Sequence, residues 1–127
     1  ALSYSSRWEI TRAARHLANE VKAGVLGVHE DTLAKYGAVS EPCAAEMADG
    51  VRRVCGSDIS VSVTGIAGPG GGTDENPVGT VFIGYADERT AFAREYHFGG
   101  DRPQVREQTI CAALALVLEV KEGEDGV

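Results

Sequence analysis

The chain has 127 residues, 43% of them hydrophobic, and a formal net charge of −7, which is enough apolar material for one folded core without covalent staples. Its cysteines, Cys43, Cys55 and Cys111, are odd in number and in no CxxC or Cys/His spacing, so they suggest neither a disulfide framework nor a zinc site and suit a reduced, cytoplasmic setting. Dispersed arginines and lysines on an acidic background argue against nucleic acid as a partner, and no apolar run nears the roughly 20 residues of a membrane span. A small anionic ligand stays open, because a few local donors overcome a distant net charge.

In chain order, Trp8, Ile10, Ala13, Ala14 and Leu17 fit a helix, and Val25 to Val28 close it before a short turn around Asp31 to Tyr36. Ser40, Glu41 and Pro42 make an N-cap and first turn, after which Ala44, Met47, Val51 and Val54 recur at helical spacing as far as Gly56. Ile59, Val61 and Val63 alternate with Ser60 and Ser62, the period of a strand with one apolar face. Val78 to Tyr85 and Thr90 to Phe98 are rich in β-formers and flank the polar turn Asp87-Glu88-Arg89, which predicts an antiparallel hairpin. Asp101 with Gln104 resembles a capping box, and Val105, Ala112, Ala113, Leu116 and Val120 trace the apolar face of a last helix. The acidic, glycine-containing tail 122–127 reads as frayed. Helix, strand, glycine loop, hairpin and helix in succession make an α/β layered domain.

Between the first strand and the hairpin runs Thr64-Gly65-Ile66-Ala67-Gly68-Pro69-Gly70-Gly71-Gly72. Missing side chains there let backbone N–H groups approach an anion, and phosphate is the natural guest; the plain alternative is a flexible connection. No Gly-Lys-Ser/Thr follows, so this is not a Walker A loop, and the next element reads as a strand, so it is not a Rossmann fingerprint.

That segment, continued by Thr73 and by Pro77-Val78-Gly79-Thr80-Val81, resembles the signature of the CinA C-terminal domain. Asn19-Glu20-Val21-Lys22 with Leu26-Gly27-Val28, Ala38-Val39-Ser40-Glu41, and Phe98-Gly99-Gly100-Asp101-Arg102 resemble further motifs of that family in the same order. The resemblance spans about residues 18–120. It implies a three-layer α/β/α fold on a mixed sheet, an oligomer, and an amidohydrolase that converts nicotinamide mononucleotide (NMN) and water to nicotinate mononucleotide and ammonia without metal or organic cofactor.

The family domain opens with a strand leading to a Glu-Ser-Cys-Thr-Gly-Gly motif whose serine is the proposed nucleophile, and these 127 residues do not contain that motif. The expectation is a single domain over 1–127 lacking that first strand and helix, with an open sheet edge that promotes association and with weak deamidase activity. Ser5-Ser6-Arg7-Trp8 resembles a later Gly-Ser-Ser-x-aromatic segment, with one extra residue before Lys22. The other register sets Tyr4-Ser5 on the family's Tyr-Ser and makes about a dozen following residues an insertion.

Amide hydrolysis through an acyl-enzyme needs a nucleophile, a base and oxyanion donors. Lys22 is the candidate base, since burial beside an aromatic substrate lowers an amine's pKa; without the resemblance it would read as an exposed lysine paired with Glu20. Ser6 orients that lysine or stands in as nucleophile, or else caps a helix starting near Arg7. Asn19, Thr64, Gly65, Ala67, Gly68 and Arg102 are the substrate-binding set. Arg102 would grip the phosphate with its fork, or instead pair with Asp101 or Glu107. His16, His29 and His97 share no ligand spacing, and Cys43 reads as packing. The competing reading is a module that binds a nucleotide, or a competence and DNA-repair partner, without chemistry.

Overall fold

The computed structural model describes residues 27–125, and the helical pattern from Trp8 to Leu17 lies outside them. Two helices come first, α1 (Glu30–Tyr36) and α2 (Glu41–Cys55), followed by strands β1 (Ile59–Gly65), β2 (Thr80–Asp87) and β3 (Ala91–His97) and the long helix α3 (Arg102–Asp125). β2 lies between β1 and β3 and pairs antiparallel with both. The described strands therefore contain no parallel pairing of the kind a mixed sheet includes.

Residues paired across neighbouring strands share a sheet face. Val61, Tyr85 and Phe92 lie on one face, and Ser62, Gly84 and Ala93 on the other. α3 covers the first face, where Val81, Ile83 and Tyr85 pack with Val105 and Leu116. α2 covers the second, where Ala44 meets Phe82 and Ala93. Helix, sheet and helix give the expected three α/β/α layers, and β2, covered on both sides, is buried along its whole length.

End signals place both long helices. Ser40 accepts from the Cys43 N–H at the start of α2, Pro42 stands in its first turn, and Gly56 ends it in the left-handed conformation. At α3 the capping box is reciprocal: the Gln104 N–H donates to Asp101 Oδ1 at 3.0 Å and the Asp101 N–H to Gln104 Oε1 at 2.9 Å. This helix continues through Glu122 to Asp125, further than the tail's composition indicates.

Two expectations need correction. Residues 30–36 form a helix rather than a turn; Glu30 and Asp31 at its start and Lys35 at its end suit the helix dipole, but none of its residues is buried, so it carries no apolar stripe to read. β1 is inverted: Ser60 and Ser62 are buried, while Val61 and Val63 are 39% and 45% exposed. The serines lie under α2, where their hydroxyls donate to its Ala48 and Ala44 carbonyls at 2.5 and 2.6 Å. Close approach of a helix backbone favours small polar residues there over valine. The same contact explains why Cys43, Ala44, Ala48 and Gly50, rather than Val54, form the buried face of α2.

Candidate functional site

β1 delivers Thr64 and Gly65 to the end of the sheet, and the pairing with β2 runs on past them: the Ile66 N–H donates to the Thr80 carbonyl and the Gly79 N–H to that of Ile66. Gly65 is pressed against β2, where an added Cβ would lie 2.7 Å from the Thr80 carbonyl oxygen. Its lack of a side chain thus serves sheet packing. The Thr64 hydroxyl donates to the Ala38 carbonyl at 2.8 Å, so its proton is committed to the α1–α2 connection and its oxygen keeps acceptor capacity. Asn76 ties the far side of the glycine loop to the same connection through Val39 at 3.2 Å.

Ala67 packs against the core cluster under α3. Gly68 is buried with φ +86°, in a conformation and a space that exclude a Cβ because Val78 stands 2.6 Å from where it would be. Its peptide to Pro69 is cis. Gly70, Gly71 and Gly72 are exposed, and among the described residues no acceptor takes their backbone N–H groups.

Arg102, the first residue of α3, reaches back across the sheet end and donates from Nη1 to the Gly68 carbonyl at 3.1 Å. Among the described residues it forms no ion pair with Asp101 or Glu107, the structural alternative for this side chain. A guanidinium carries five N–H donors, so one bond to Gly68 leaves most of the fork available. The structure thus brings Thr64, Gly65, Ala67, Gly68 and Arg102 to one corner, joining exposed N–H donors, a cation and the positive end of a long helix. Ser6, Asn19 and Lys22 lie outside the described residues.

Other candidates have ordinary roles. Burial, then the Glu46 carboxylate, pushes the Cys43 thiol above its usual value, the opposite of an activated thiolate. His97 faces Glu95 at 3.4 Å and His29 faces Glu46 at 4.0 Å. Among the described residues no cluster of three or more His, Cys, Asp or Glu side chains can hold a metal ion, and no helix is long and apolar enough to cross a membrane. A hollow of about 160 Å³ lies away from this corner, at the β2–β3 turn, where Arg52, Arg89 and Lys121 balance Asp58, Asp87 and Glu88. An open depression of about 420 Å³, lined by Gly99, Gly100, Gln104, Glu107 and Gln108, borders the first turns of α3 beside Arg102. Sequence reading missed the Asn76 tie and the seating of Ser60 and Ser62; the run of small residues in both β1 and α2 is the signal that could have found the latter.

Fold and corner together define an α/β/α domain whose glycine-rich β1–β2 connection is pinned by an arginine from the last helix. The profile of the CinA C-terminal domain matches residues 12–121, and the chain belongs to that family. It is 46% identical over 110 residues to a CinA-like protein of Thermotoga maritima, covering 87% of this chain and 27% of that protein. With a CinA-like protein of Geobacter metallireducens it shares 52% identity over 99 residues, 78% of this chain and 24% of that protein. The chain thus spans about a quarter of the length of these relatives. Among solved structures, a competence/damage-inducible protein of Agrobacterium tumefaciens superposes with a TM-score of 0.75 at 36% identity, over 81% of this chain and 64% of that one. A CinA superfamily protein of Enterobacter cloacae gives 0.73 at 34% identity, over 79% and 59%.

Proposed function

We propose that this chain is the nucleotide-binding part of a nicotinamide-nucleotide amidohydrolase, acting on NMN in a reducing, cytoplasmic setting. The observation that carries the reading is the contact of Arg102 with Gly68, which holds a cation against a glycine loop with exposed N–H groups. Such a corner suits a phosphate monoester. Attack on the carboxamide carbon by a nucleophile, whose proton passes through the base to the departing ammonia, leaves an acyl-enzyme that water then hydrolyses to the carboxylate, and no step of this calls for a metal or organic cofactor. In this reading Lys22 is the base, Ser6 assists it or attacks, and Asn19 holds substrate.

The test follows binding and chemistry separately. Calorimetry with NMN and with nicotinamide riboside, which lacks the phosphate, should show tighter binding of NMN, and equal affinities would sink the phosphate site. Ammonia release from NMN reports the reaction. Binding without release would assign the chain to the non-catalytic module instead.

A further inference from the structure

The connection from β1 to β2 carries Gly68, Gly70, Gly71 and Gly72, and fixing a glycine backbone costs more conformational entropy than fixing any other residue. Such a loop offers a phosphate a formed set of N–H groups only if other residues hold its shape. Two side chains clasp its ends: the Thr64 hydroxyl donates to the Ala38 carbonyl at 2.8 Å, and Asn76 Nδ2 donates to the Val39 carbonyl at 3.2 Å. These two carbonyls are consecutive in the α1–α2 connection, which is itself held firmly. Buried Ser40 donates to the Gly37 carbonyl at 2.8 Å and caps α2, while Val39 packs against the cluster of Ala44, Phe82 and Ala93.

Of residues 69–78, Asn76 alone is not exposed. The turn around it does not need its side chain. The Thr73 N–H donates to the Asn76 carbonyl and the Asn76 N–H to the Thr73 hydroxyl oxygen, both at 2.9 Å, so any residue with a backbone N–H at position 76 closes that turn. The Asn76 amide goes instead to Val39. Among the described residues this is the one hydrogen bond from residues 69–76 to a distant part of the chain. Arg102 holds the loop on its other side, at Gly68, and Gly70, Gly71 and Gly72 span the gap between the two fastenings.

We propose that Asn76 is a positioning residue for the candidate site: its amide holds the N–H groups of Gly70, Gly71 and Gly72 in place before the phosphate arrives. The inference rests on the nucleotide reading above. A ligand that needs a partly populated conformation binds more weakly in proportion to that population, so opening the clasp lowers affinity while the loop's N–H groups and Arg102 all remain.

Nitrogen-15 relaxation on the full chain without ligand reads the loop directly, and calorimetry with NMN and nicotinamide riboside reads the consequence. In the wild type the N–H groups of Gly70, Gly71 and Gly72 should have order parameters of about 0.85, and Asn76→Ala should bring them below about 0.6 while β1 and β2 keep theirs. Asn76→Asp, the same shape with an acceptor in place of the donor, should loosen the loop as much as alanine does. Asn76→Ala should bind NMN about fivefold more weakly, the effect of one hydrogen bond, and the riboside within about twofold of wild type. Thermal melts check that the variants are folded. Unchanged order parameters in Asn76→Ala would overturn the proposal whatever the ligands do. A loosened loop with NMN affinity intact would overturn the positioning role and leave the nucleotide reading standing. A wild-type chain that binds NMN and the riboside equally removes that reading, and the positioning role falls with it.

Discussion

The hydroxyl of Ser62 donates to the carbonyl of Ala44 at 2.6 Å, and one step along both elements Ser60 does the same to Ala48. Two residues of strand advance about 6.6 Å and one four-residue step of helix about 6.0 Å, so alternate serines meet successive carbonyls of an antiparallel helix. The Ala44 carbonyl also belongs to the helix ladder. Ser62→Ala therefore removes one net hydrogen bond without stranding the acceptor, and should cost about 1 kcal/mol. Urea unfolding should show a lower midpoint with an unchanged slope. Val61→Thr, at a side chain that is 39% exposed, should stay within about 0.5 kcal/mol of wild type.

Gly84 is the third member of this contact. A Cβ there would collide with both the Ala44 carbonyl oxygen and the Ser62 hydroxyl, and the first is helix backbone that cannot swing aside. Gly84→Ala should destabilise by about 2–3 kcal/mol as α2 is pushed off the sheet. Combined with Ser62→Ala the loss should be less than additive, since one of the two obstructions is gone. Full additivity in a double-mutant cycle would contradict the shared contact.

These residues also mark where sequence reading stopped. Ser40, Gly56, Asp101 and Gln104 announced the helix ends because capping is local chemistry, and the hairpin followed from two β-rich runs around Asp87-Glu88-Arg89. The burial of β1 was not legible, because alternation identifies two faces but not how closely each is packed: α2 seats Ser60 and Ser62, whereas the face under α3 leaves Val61 and Val63 partly open. The constellation of the candidate site came from motif resemblance; its geometry did not, since the joining of Arg102 to Gly68 is a tertiary contact between elements 34 residues apart. Thr64 and Gly65 show the same limit, one fastening Ala38 and the other making room for β2.

Asp87 closes the β2–β3 turn and gives the fold a pH dependence. Burial raises its pKa, but the N–H of Arg89, the Tyr85 hydroxyl, the N–H of Thr90 and the charge of Lys121 together outweigh burial and hold the carboxyl below its usual value. A carboxylate with a lowered native pKa stabilises the fold fully above its unfolded pKa of about 4, and that contribution vanishes as pH falls through the lower native value. Asp87→Asn should cost about 1.5 kcal/mol near neutrality through its weaker acceptor. The gap from wild type should narrow below about pH 4. Thermal melts across that range would show it, and a gap that widened with acid would contradict the assignment.

Arg102 is the residue on which the nucleotide reading depends most. If its fork holds a phosphate while Nη1 stays on Gly68, Arg102→Ala should weaken NMN by about 1.5–3 kcal/mol, the range for hydrogen bonds to charged groups. Nicotinamide riboside should lose little, because the missing group is the one it lacks. Arg102→Lys keeps the charge but not the planar pair of donors, so it should fall between alanine and wild type for NMN. The bond to Gly68 also supports the loop, and some loss of stability, about 1 kcal/mol, is expected from either change. Calorimetry with both ligands on folded variants separates the two roles. If NMN and the riboside weaken equally, Arg102 only braces the glycine loop, and the phosphate must be sought elsewhere.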